Sequence, residues 1–78
     1  MTDKKQKIVS AIKALASEHG LPNSFAASEI AQQAGLSNVM AGRLLAGSLK
    51  AISDYCALKL IRDARDGITY IDVSGDLS

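Results

Sequence analysis

With one cysteine, Cys56, and one histidine, His19, this chain has nothing to staple itself with. An internal disulfide needs two thiols, and a structural metal site needs about four converging ligands. A chain of 78 residues in that position depends on an aliphatic core, extended or not by self-association. That core is small, because a domain of this size buries only about 60% of the surface its unfolded chain exposes. The hydrophobic content of 47% suits such a core and is too high for disorder. The length fits a single domain spanning residues 1–78.

Several classes of function are disfavoured from the start. The polar opening from Met1 to Lys7 lacks the apolar stretch of a secretory leader. No run approaches the roughly 20 apolar residues of a membrane span, so no membrane partner is expected. A single free thiol fits a reducing compartment, and the expected location is cytoplasmic. No phosphate loop, nucleophile elbow or paired-carboxylate arrangement is visible, and neither a metal nor a cofactor is implied. The expectation is a binding module rather than an enzyme. Net charge is only +1, but its distribution is uneven. Lys4, Lys5, Lys7 and Lys13 crowd the start, while Asp72 and Asp76 sit near the end with no base after them. Lysines at the front can follow phosphates or simply form the solvated face of a helix.

Residues 4–19 place Ile8, Ala11, Ile12, Leu15 and Ala16 at spacings of three and four, the mark of an amphipathic helix. Thr2 or Asp3 can cap its start, and Gly20 followed by Pro22 ends it. Residues 21–27 form a connector in which Phe25 plugs the core or sits on a very short strand. Residues 28–34 make a short helix stopped by Gly35. Ser37 is a good cap for a third helix beginning at Asn38. That helix runs through Leu44, Leu45 and Leu49 towards Ile52, with a possible break near Gly47. Gly42 and Gly47 each cost about 1 kcal/mol against alanine inside a helix. Asp66-Gly67 signals a hairpin, with a strand in 68–73 and a frayed tail in 74–78. The expected fold is mainly α with a small C-terminal β-hairpin on a three-helix core. Ile8, Ile12, Leu15, Phe25, Ile30, Ala31, Leu36, Leu44, Leu49 and Ile71 are its expected buried residues.

Residues 27–46, Ala-Ser-Glu-Ile-Ala-Gln-Gln-Ala-Gly-Leu-Ser-Asn-Val-Met-Ala-Gly-Arg-Leu-Leu-Ala, resemble a helix-turn-helix. Ala31 is small where two helices must approach, Gly35 suits a turn with positive φ, and Leu36 packs beneath it. With the first helix and a hairpin wing in 58–73, the chain resembles the winged helix-turn-helix family over residues 7–73. Two departures stand out. Ala26 lies where such domains often carry a capping Ser or Thr, and the stretch from Ser37 to the hairpin is several residues longer than in compact members. The extra length fits either a longer third helix or an additional short one around residues 48–58.

The resemblance implies sequence-specific binding of double-stranded DNA by a small transcriptional regulator or accessory factor, with the third helix in the major groove. Carried over, the contact face is Ser37, Asn38, Val39, Gly42, Arg43 and Ala46. Asn38 could pair with adenine, Arg43 with guanine, and Ser37 with phosphate. Lys50, Arg62 and Arg65 extend the candidate surface, and Lys4 and Lys5 add phosphate contacts. The competing expectation is a protein-docking module, because Arg43 is the only cation between Ser37 and Leu49 and Val39 is apolar. Cys56 reads as a small buried hydrophobe and His19 as a helix-end residue. A homodimer, if formed, would use the first helix and the stripe Leu49, Ile52, Tyr55 and Cys56.

Overall fold

The structure is a computed structural model that describes residues 3–76. Helix α1 spans Asp3–His19, strand β1 Asn23–Ala26, helix α2 Ala27–Ala34 and helix α3 Asn38–Gly47. Helix α4 spans Leu49–Cys56, strand β2 Leu58–Arg65 and strand β3 Ile68–Asp76. The three strands form one antiparallel sheet in the order β1-β3-β2. Among the described residues, no helix is long and apolar enough to cross a membrane.

Each helix end has a local cause. The N–H of Gly20 bonds the Ala16 carbonyl at 2.9 Å, and α1 stops there as its sequence suggests. A cap by Thr2 lies outside the described residues. Gly35 has φ +71°; its N–H bonds Gln32 O and that of Leu36 bonds Ala31 O. This paired closure needs a left-handed residue, which glycine supplies without a Cβ penalty. Ser37 Oγ accepts the Met40 N–H at 3.1 Å, capping α3 as expected. Ala26 caps α2 without any side-chain hydrogen bond.

The sequence expectation needs correction in three places. Four helices form rather than a three-helix core. Of the two alternatives for the long stretch after Ser37, the additional short helix is the one found, because the chain leaves helical geometry at Ser48 (φ −128°, ψ 22°) and restarts as α4. Weak helix propensity at Gly47 beside a serine explains the break. Secondly, the sheet has three strands, since β1 pairs with β3 and sets Phe25 opposite Ile71. Thirdly, residues 74–76 belong to β3 rather than to a frayed tail. Leu58 opens β2 opposite Asp76, with a register shift between Leu58 and Leu60 absorbing the mismatch. Residues 77–78 lie outside the described residues.

The core gathers one face of every element. Ile8, Ile12, Ile30, Ala31, Ala41, Leu45, Ile52 and Ile71 have no exposed surface, and Leu15, Phe25 and Val73 are nearly as deep. Leu36, Leu44 and Leu49, expected inside, are only partly buried and pack on its margin. In α3 the inward pair is Ala41 and Leu45, four residues apart. Leu44 is turned about 100° from Leu45 around the axis. The buried polar group Ser53 donates through Oγ to the Leu58 carbonyl, tying α4 to the start of β2.

Ala31 lies where α2 meets the core, with no surface exposed. Replacing it with leucine should overpack that site and cost about 1–3 kcal/mol. Urea unfolding measures the loss; a variant as stable as the parent would mean that α2 does not pack here.

Candidate nucleic-acid interface

α3 divides cleanly into two faces. Ala41 and Leu45 lock one side into the core, while Val39, Arg43 and Ala46 lie exposed on the other, with Gly42 half-buried between them. Val39 keeps 67% of its surface in solvent, a large fraction for an aliphatic residue in a helix. Ser37 and Asn38 are exposed at the start of α3, beside a shallow cleft also lined by Ser28, Glu29 and Gln32. The structure thus brings Ser37, Asn38, Val39, Gly42 and Arg43 together on one short helix.

Gly42 has no fold-based reason to be glycine. It lies inside α3, and a Cβ built on it meets no atom within 4 Å. Alanine there would fit and would remove a penalty of about 1 kcal/mol. Its presence leaves α3 without a side chain at the border of its exposed face.

The remaining candidates come from separate elements. Lys4 is exposed near the start of α1 and Lys5 is half-buried there. Lys50 is exposed in the first turn of α4, and Arg62 is exposed on β2 opposite Ile71. Arg65 is differently placed. Its Nη2 meets both carboxylate oxygens of Asp72 at 2.7 and 2.8 Å, and its Nε meets Asp63 at 3.0 Å. The guanidinium also lies 5.2 Å from the centre of the Tyr70 ring. Asp72 accepts a further bond from Ser24 Oγ. Arg65 is therefore neutralised by its own sheet, and its donors hold the β2–β3 hairpin to β1 through Asp72 and Ser24.

This network, on the sheet face away from the core, is the feature that sequence reasoning missed. The Ser24 hydroxyl, and after it Arg65, hold the Asp72 carboxyl below its ordinary value. The link therefore contributes stability above the unfolded carboxylate pKa of about 3.9, and loses it as pH falls through the lower folded value. A carboxyl-detected NMR titration should show Asp72 with a depressed midpoint that Ser24→Ala moves upward. A midpoint in the ordinary range in the parent protein would contradict the network.

Cys56 is buried, and its Sγ donates to the Ile52 carbonyl at 2.8 Å. Burial pushes its thiol pKa up, against smaller opposing contributions from nearby backbone groups and Lys13. No protein-family model matches the chain, and neither a curated protein nor a solved structure does.

Proposed function

We propose that this domain is a winged helix-turn-helix module that binds double-stranded DNA sequence-specifically and performs no catalysis. One observation carries the reading most strongly: α3 keeps a solvent-facing side bordered by a glycine that the fold does not require. The arrangement of elements is compatible with it. α2 and α3 follow one another across the turn at Gly35, and β2 and β3 form a hairpin whose second strand lies beside β1. In this reading α3 enters the major groove. Asn38 and Arg43 meet base edges, while Ser37, Lys4, Lys5, Lys50 and Arg62 meet phosphates. Arg65 serves as a clamp within the hairpin rather than as a free phosphate ligand, because two carboxylates already hold it. The role that follows is a small regulator or an accessory DNA-binding factor, acting in the cytoplasm.

Fluorescence anisotropy on duplex fragments at two salt concentrations tests this. Affinity should fall steeply with salt, with a log–log slope near −0.9 for each phosphate contact. Arg43→Ala should reduce discrimination between sites, and Lys4→Ala should weaken all sites alike. Gly42→Ala gives a sharper signature, because two effects should run in opposite directions. The protein should gain up to about 1 kcal/mol of stability while losing DNA affinity. Absence of duplex binding at low salt would overturn the DNA reading. The exposed Val39 and the neutralised Arg65 would then favour a protein-docking module, tested by pull-down with Val39 and Arg43 altered.

A further inference from the structure

We propose that two copies of this chain associate edge to edge through β2, antiparallel, about a two-fold axis at Ile61. The proposal does not depend on the DNA reading. β2 is an outer strand of the sheet, eight residues long, whereas the opposite edge, β1, has four. Positions 61–65 and Lys59 are all exposed, so among the described residues no other element covers this edge beyond its start, where the Leu58 carbonyl accepts from Ser53 of α4. The hairpin closes on the Arg65–Ile68 pair around Asp66 (φ +53°) and Gly67 (φ +77°), a tight two-residue turn. In such a hairpin the closing pair and every second pair exchange hydrogen bonds. Arg65, Asp63 and Ile61 therefore direct their backbone groups at β3. Leu60 and Arg62 direct theirs outward, where a further strand can bind, while the outward N–H of Ala64 is taken by Asp63 Oδ1.

The side chains select both the partner and the register. Residues directly opposite in a sheet share a face, so self-pairing is possible only about whole-residue centres. Centred on Ile61, the strand is complementary to itself. Ile61, with 49% of its surface exposed, meets Ile61 of the second copy. Lys59 falls opposite Asp63 of that copy on both sides of the axis, and Leu60 exchanges hydrogen bonds with Arg62. Centring on Arg62 would oppose Arg62 to Arg62 and Lys59 to Arg65. Centring on Asp63 would oppose two carboxylates, and centring on Leu60 would match no opposite charges. Like charges directly opposite are destabilising, so among centres from Leu60 to Asp63 only the Ile61 register joins an apolar contact to matched charges. Centring on Ala64 would oppose Asp63 to Arg65 but would run into the turn at Asp66 two residues from the axis. Asp63 already accepts from Arg65 and from the Ala64 N–H. A carboxylate offers about four acceptor positions, which leaves room for Lys59.

Sedimentation equilibrium of the whole chain from micromolar to millimolar concentration should show mass rising from 8.2 kDa towards twice that value. Lys59→Glu alone and Asp63→Lys alone should each weaken association at least about tenfold. The double swap, which restores opposite charges across the axis, should recover it, with circular dichroism confirming folding of every variant. Under mild oxidation Ile61→Cys should form a disulfide-linked dimer and Arg62→Cys should not, because non-hydrogen-bonded pairs bring Cα atoms to about 4.5 Å. A constant monomer mass, failure of the double swap to rescue, or cross-linking at Arg62→Cys in preference to Ile61→Cys would each overturn the proposal.

Discussion

Replacing Ile71 with alanine is expected to cost about 2–5 kcal/mol, the range for truncating a fully buried isoleucine. Ile71 has no exposed surface and sits on β3, the central strand, between Phe25 of β1 and Arg62 of β2. Its side chain joins the sheet to the helices, so the cavity cannot be filled by relaxation of one flexible segment. A chain of 78 residues has about 4–12 kcal/mol of stability in all. The variant should be marginal, with its urea midpoint sharply lowered. Ile68→Ala is the matched control: same residue type, same strand, 48% exposed, and an expected change within about 0.5 kcal/mol. The comparison tests register, since a slip of one residue turns every side chain of a strand to the opposite face. A larger loss at Ile68 than at Ile71 would mean that the hairpin presents its other face to the core.

Cys56 should resist thiol reagents by a factor of about 10³ or more relative to the unfolded chain, the largest effect expected here. Three features combine. The thiol is 5% exposed, it donates to the Ile52 carbonyl, and burial raises its pKa, so the reactive thiolate is scarce at neutral pH. Reaction then has to wait for opening of the domain or of α4. Labelling should accelerate with added urea, and Ile71→Ala should speed it by roughly 30-fold or more if opening is global, since each 1.4 kcal/mol is a factor of ten. Rapid labelling of the native protein would show that α4 is undocked. The stripe Leu49, Ile52 and Cys56 would then be free to cover another molecule, as the sequence allowed. In the structure, Ile52 and Cys56 are buried in the core and Leu49 packs against it, leaving Tyr55 outside with 60% exposure.

How far the fold could be read from the sequence depended on whether the signal was local. α1 announced itself through Ile8, Ile12 and Leu15, and its end through Gly20. The turn at Gly35 and the cap at Ser37 each need only a few adjacent residues, and both were legible. Asp66-Gly67 located the hairpin because only a few residue types tolerate positive φ at two positions in succession. Non-local features were hidden. Asn-Ser-Phe-Ala gave a weak strand signal, and its place beside β3 depends on residues near the other end of the chain. The break at Ser48 was foreseeable only as an alternative, since Gly47 disfavours a helix without forbidding one. The candidate site followed the same rule. Ser37, Asn38, Val39 and Arg43 share one helix and could be grouped by spacing. The Arg65–Asp63 contact lies within one strand, and Asp63 and Tyr70 could have been paired by counting outward from the turn. Ser24 could not, because no local pattern links it to Asp72.

The order of the sheet has a kinetic side. The last strand of the sheet in sequence, β3, is the middle one in space. Ser24 and Asp72, which meet across β1 and β3, are 48 positions apart along the chain. Helices α1 to α4 can form locally and early, but Phe25 and the inner faces of α1 and α2 have no sheet to close on until β3 arrives. Closing so long a loop costs chain entropy before any contact rewards it, and contacts of this separation slow folding. The sheet therefore cannot close before residues 68–76 are available, because β1 and β2 are joined only through β3.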